Sequence, residues 1–316
     1  MSGFEDRDLV RLVGGVVALL VAASVIGFVL ARRARSPASR ETVENLNARI
    51  RAWWIMAAVL TAAVAIGRVS SIVLFALMSL LALREFVTLM PTRPEDHRTL
   101  FWSFFLITPL QYLLIGLEWY GLFAIMIPVY AFLFIAVSNV LSGKTERFLE
   151  RTAEIHFGLM VCVYCVSYAP ALLLLEIPGY GKVNTKLLIF VVLVVELSDV
   201  LQYVFGKLFG KRRIAPEVSP NKTWEGFAGG ILVATAIGTA LWWATPFSPA
   251  AAAGMSLVIT MAGFAGGLVL SAIKRDRGVK DYGTLIAGHG GMLDRIDSLC
   301  FAAPIFFHLT RFFYAS

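Results

Sequence analysis

Apolar runs of close to twenty residues, broken by short charged or glycine-bearing stretches, recur along the whole chain. Wound as helices, runs of about 20 residues cross the hydrocarbon of a bilayer, and a helix satisfies its own backbone where no water is present. Ten spans are predicted, at about 9–31, 52–67, 69–91, 101–117, 119–142, 157–175, 187–206, 226–245, 250–272 and 298–314. Only Gly67 and Arg68 separate the second from the third. The expected fold class is therefore all-α: a polytopic integral membrane helical bundle of about ten transmembrane helices. "RARSPASRETVENLNAR" is the one linker-like stretch, and no internal repeat or heptad pattern accompanies it.

Composition rules out the alternative of an anchored soluble domain. Of 316 residues, 58% are hydrophobic and 16% charged, and the mean hydropathy is +0.76, more than one aqueous core absorbs. The first span follows Glu5, Asp6 and Asp8 and precedes Arg32, Arg33 and Arg35, the reverse of a secretory signal, so it reads as a retained anchor. Cationic loops stay on the cytoplasmic side of a membrane. Loops 32–51, 92–100, 143–155, 207–225 and 273–297 hold 21 of the 28 Lys and Arg residues, so they are expected to face the cytoplasm together, with both termini outside. Cys162, Cys165 and Cys300 all sit within apolar stretches and read as small packing residues rather than a disulfide framework.

Unusual chemistry gathers in two of those loops. Asp294 and Asp297 are three residues apart at the start of the last span, so a helix places both carboxylates on one side. Capping of the helix N-terminus and binding of a hard divalent cation such as Mg²⁺ explain that pair equally well. His289 lies beside Gly288, Gly290 and Gly291, a turn or a place where backbone approaches a ligand closely. Lys274, Arg275, Arg277 and Lys280 precede it, and Lys207, Lys211, Arg212, Arg213 and Lys222 occupy the earlier loop. For Arg212 and Arg213 a topogenic charge run is the simpler account. Lys222 differs, because "SPNKTWEG" sets it between Ser219 and Thr223 before a new helix, a setting suited to a phosphate. Glu196 and Asp199, spaced three apart on the seventh span with Tyr203 following, form either a structural hydrogen-bond network or a further carboxylate contribution to the same site.

"SAIKRDRGVKDYGTLIAGHGGMLDRID", Ser271 to Asp297, closely resembles the signature of the phosphatidate cytidylyltransferases, or CDP-diacylglycerol synthases. Ser271, Lys274-Arg275, Lys280-Asp281, His289-Gly290-Gly291 and Asp294-Arg295-Ile296-Asp297 fall on the places of that pattern, and the similarity reaches upstream through Asp199, "FGKLFGKRRIAP" and "VSPNKTWEGF". Three positions depart from it: Ala287 stands where the family commonly has proline, Gln202 where it has alanine, and Gly267 where it has an aspartate implicated in metal binding. The resemblance implies an enzyme that joins CTP to phosphatidate or a related lipid phosphate in phospholipid synthesis, in a bacterial inner membrane with its catalytic loops in the cytoplasm. Asp294 and Asp297 would be metal ligands, with Asp199 assisting. Lys280, Asp281 and His289 would join them as catalytic residues. Ser219, Lys222, Thr223, Lys274, Arg275, Arg295, Gly290 and Gly291 would bind substrate. Mg²⁺ is the implied cofactor, and Gly267 removes one side-chain ligand of a second cation.

On this reading, residues 1–50 form an accessory membrane helix and basic linker, 51–185 the N-terminal membrane helices, and 186–316 the C-terminal catalytic region. Membrane lipids and a second copy of the chain are the expected partners, and nothing points to nucleic acid. Two other readings stay open: a catalytically weak paralogue acting on another lipid phosphate, and a membrane transporter, which Glu196 and Asp199 within a span would permit.

Overall fold

The computed structural model describes residues 7–33, 36–141, 143, 145–180, 184–283 and 290–315. Ten helices account for nearly all of them. In chain order they are α1 (Arg7–Arg33), α2 (Pro37–Ile66), α3 (Arg68–Thr88), α4 (Pro94–Gly116), α5 (Tyr120–Val140) and α6 (Phe148–Leu174). They continue with α7 (Thr185–Phe209), α8 (Trp224–Ala240), α9 (Pro249–Asp276) and α10 (Leu293–Tyr314). Among the described residues nine helices are long and apolar enough to cross a membrane; α8, with 17 residues, is the short one. The protein is a polytopic helical membrane protein.

Several elements begin earlier than hydropathy predicts. Residues 37–51, expected as linker, are the first half of α2, because Ser36 and Ser39 cap each other reciprocally and Pro37 sits in the first turn. At its far end α2 gives way to α3 through Gly67 alone, whose φ of 139° no residue with a side chain adopts readily. Prolines perturb three other helices: π-helical segments at Ser103–Ile107, Met126–Ala131 and Met160–Cys165 lie beside or around Pro109, Pro128 and Pro170.

The most enclosed helix is α6, with 72% of its membrane window buried against 17% for α1. Tyr168 of α6 packs on Phe123 of α5 and Phe307 of α10, with ring centroids 5.0 and 5.1 Å away. One apolar core therefore runs from Val64 to Phe307, without a break at residue 185. By contrast α1 lies at the edge, joined to α2 through Trp54 Nε1, which donates to Ser24 Oγ at 3.1 Å.

Between α7 and α8 stands a hairpin absent from the sequence-based expectation. Strand β1 (Arg213–Ala215) pairs antiparallel with β2 (Ser219–Thr223), Arg213 opposite Thr223 and Ala215 opposite Ser219. Strands this short carry too few alternations to be seen in a single sequence. Their effect is to hold Lys222 at the end of the bundle, next to the start of α8.

Candidate active site

Four helices build the site: the C-terminal halves of α7 and α9 and the first turns of α8 and α10. Glycines let these backbones approach one another. A Cβ on Gly226 of α8 would lie 2.7 Å from the Gln202 carbonyl of α7, and one on Gly266 of α9 would lie 2.7 Å from the Asp297 carbonyl of α10. Close packing brings together side chains nearly a hundred residues apart.

The first group is Asp199, Asp297, Ser298 and Lys222. Ser298 Oγ donates to Asp199 Oδ2 at 2.5 Å and lies 3.3 Å from Asp297 Oδ1, which also accepts from the Ser298 amide at 2.7 Å. One hydroxyl thus ties a carboxylate of α7 to one of α10. Among the described residues, Asp199 Oδ1 and Asp297 Oδ2 accept no hydrogen bond. Lys222 Nζ sits against the bare Cα of Gly267, 2.9 Å from where a Cβ would be, and 4.6 Å from the centre of the Phe264 ring. Burial pulls the Lys222 pKa below the usual lysine range, while Asp199 and Asp297 oppose that shift. Half-buried Glu196, one turn before Asp199, makes no hydrogen bond to the described residues.

In the second group every carboxylate oxygen is engaged. Asp294 Oδ1 accepts from Lys274 Nζ at 2.8 Å, and Oδ2 accepts from the amides of Tyr282 and Gly291 at 2.8 and 2.9 Å. Tyr282 in turn donates its hydroxyl to the Leu270 carbonyl at 2.9 Å, and burial raises its pKa. Gly290 takes φ +78°, and a Cβ there would press on Asp294 Oδ2. A residue from the other half of the chain completes the group: Glu85 of α3 accepts from the amides of Met292 and Leu293, both at 2.8 Å. Nearby, Arg277 pairs with Glu154 of α6 at 2.6 Å.

The remaining predicted residues spread around these groups. Lys280 and Asp281 are exposed, and His289, with Ala287, lies outside the described residues. Arg275 donates to the carbonyls of Val218 and Val279, linking the hairpin to the loop after α9. Thr223 caps α8, its Oγ1 accepting from the Gly226 amide at 3.1 Å, while Ser219 and Arg295 are half-buried. Sequence reasoning missed Glu85 and Ser298. An acidic residue within the apolar run "MSLLALREFVTL" was the available signal for Glu85, since ionisable groups in a span face protein or water. For Ser298 the signal was only its place directly after Asp297.

Tested against Mg²⁺, the first group offers hard oxygen donors with one open oxygen on each aspartate. Among the described residues no cluster of three or more His, Cys, Asp or Glu stands ready to hold a metal. Such a donor set suits an ion that takes one or two carboxylates and completes its shell with phosphate and water.

The model of the cytidylyltransferase family matches residues 47–313, a stretch that contains both groups. The chain belongs to that family. Membership makes it a nucleotidyltransferase. It is 39% identical over 300 residues to an uncharacterized protein of Escherichia coli (strain K12), YnbB, covering 93% of this chain and 96% of that one. A phosphatidate cytidylyltransferase of Bacillus subtilis (strain 168) is 33% identical over 219 residues, 68% of this chain and 77% of the relative. One from Staphylococcus aureus (strain COL) is 33% identical over 193 residues, 58% and 74% of the two chains. The family match begins within α2, so α1 lies outside it, whereas the likeness to YnbB takes in nearly the whole chain.

Proposed function

We propose that this protein transfers the cytidylyl group of CTP to phosphatidate. A phosphate oxygen of the lipid forms a bond to the α-phosphorus of CTP, the bond from that phosphorus to the β-phosphate bridging oxygen breaks, and CDP-diacylglycerol and pyrophosphate result. The observation that carries this reading is the Asp199–Ser298–Asp297 bridge beside Lys222. Transfer between two polyanions demands positioning and neutralisation more than covalent catalysis.

Asp199 Oδ1 and Asp297 Oδ2 are the atoms that would hold Mg²⁺, which when bound neutralises the triphosphate and the departing pyrophosphate. Lys222 adds a fixed positive charge, and its ammonium fills the space beside Gly267, so this reading uses one metal ion. Asp294, with both oxygens engaged, acts by holding Lys274 and the amides of Tyr282 and Gly291. Lys274 and Lys222 both act electrostatically on Asp297. Arg275, Lys280 and Arg295 would add positive charge for the phosphates. The charge asymmetry of the loops and the bacterial relatives support a bacterial inner membrane with this site in the cytoplasm.

Lys222 against Gly267 also favours a second reading, in which the acceptor is a different lipid phosphate. One assay separates them: purified protein in nanodiscs, CTP, Mg²⁺ and a panel of lipid phosphates, with pyrophosphate release as readout. Phosphatidate-dependent release is expected. Release with another lipid phosphate alone would establish the second reading, and no release with any lipid phosphate would overturn both.

A further inference from the structure

Resting on the proposed transfer reaction, we propose that Glu85 is a positioning residue for it: a carboxylate delivered from the N-terminal half that sets the first turn of α10 and so aims Asp297. Glu85 lies one turn before the end of α3, next to Arg84 in a largely apolar helix, and its partners are 207 and 208 residues away. The first amides of a helix have no partner within it, and an anion is favoured there. Here Glu85 Oε1 and Oε2 take the Met292 and Leu293 amides, and Asp294 Oδ2 takes that of Gly291. Three consecutive donors are thereby claimed by two carboxylates, one from each half of the protein. Phosphates are left to the lysines.

The fit around the Glu85 carboxylate is close. A Cβ on Gly283 would stand 2.9 Å from Oε1, and one on Gly291 would collide with Oε2. Glycines at the two ends of the 283–291 segment therefore admit a side chain from α3. Asp297 follows Leu293 by four residues, one helical turn, so a change in how α10 begins turns its carboxylate relative to Asp199 and the Ser298 bridge. Displacement of about 1 Å at a reacting centre lowers rate by about 100-fold without removing any reacting group.

The test uses full-length protein in nanodiscs. Glu85→Gln keeps the shape but leaves a single acceptor for two amides; turnover should fall about 10-fold or more with KM for CTP changed less than about 3-fold, and Glu85→Asp should recover part of the loss. Gly283→Ala presses on the same carboxylate from outside. Combined with Glu85→Gln it should cost less than the product of the two single effects, as partners in one interaction do. Hydrogen exchange at the 290–293 amides should quicken in Glu85→Gln while the rest of the bundle is unchanged. Wild-type turnover in Glu85→Gln, or exchange that quickens throughout the bundle, would overturn the proposal. If the Glu85 variants do not fold, Gly283→Ala decides by the same turnover and exchange measurements. Should the wild-type protein use CTP with no lipid phosphate, the functional reading falls by itself. Exchange at 290–293 then decides the clamp: unchanged rates in Glu85→Gln sink it, and faster rates keep it for whatever reaction the site performs.

Discussion

Asp294 and Asp297 are the same residue type, three positions apart near the start of one helix, yet the structure gives them opposite surroundings. Asp294 is engaged by an ammonium and two amides, whereas Asp297 keeps one oxygen without a hydrogen-bond donor among the described residues and shares a serine hydroxyl with Asp199. The difference comes from what other elements deliver: Lys274 and the loop after α9 to the first, α7 to the second. A carboxylate with all its acceptor sites filled organises backbone; one with an open oxygen next to another is available to a ligand.

The sharpest way to break this contrast is to neutralise each aspartate. Asp297→Asn should lower CTP-dependent pyrophosphate release by about 10³-fold and weaken the Mg²⁺ dependence, with little change in thermal unfolding. Retention of most activity would remove Asp297 from the metal site. Asp294→Asn should instead show itself in stability. Its loss strands the largely buried Lys274 ammonium, and leaving such a group unpaired costs about 3–5 kcal/mol. A lowered unfolding temperature with an unshifted Mg²⁺ midpoint in the surviving activity is the expected pattern; the reverse would make Asp294 the ligand.

Ser298→Ala removes the hydroxyl bridge but neither carboxylate, and a drop of about 10-fold in turnover is expected, since one hydrogen bond to a charged group is worth about 1.5–3 kcal/mol. The smallest effect should come from Gly267→Asp. The new Cβ would meet the Lys222 ammonium, so the added carboxylate pairs with Lys222 and turnover does not rise. A gain would mean that the site lacks an aspartate rather than having been rebuilt around a lysine.

The spans were legible in the sequence because hydrocarbon imposes a length and a composition on anything that crosses it. Where that constraint ends, legibility ended too: the first half of α2 and the hairpin after α7 lie in polar stretches, and local capping and pairing decide them. Of the candidate site, Asp199 stood out as a charge within a span, Asp294 and Asp297 by their spacing at a helix start, and Lys222 and Lys274 by the charged loops that hold them. Glu85 did not, because its role is defined by partners more than two hundred residues away, a relation that no periodicity along the chain records.

The Lys222 ammonium beside Gly267 has a consequence for how the protein lives with its ionic surroundings. A positive charge tethered to the chain is neither diluted when divalent ions become scarce nor stripped by a chelator, and no competing metal displaces it. On the proposed reading, activity as a function of free Mg²⁺ follows a simple hyperbola with a Hill coefficient of one, and the protein keeps part of its hold on CTP when the ion is gone.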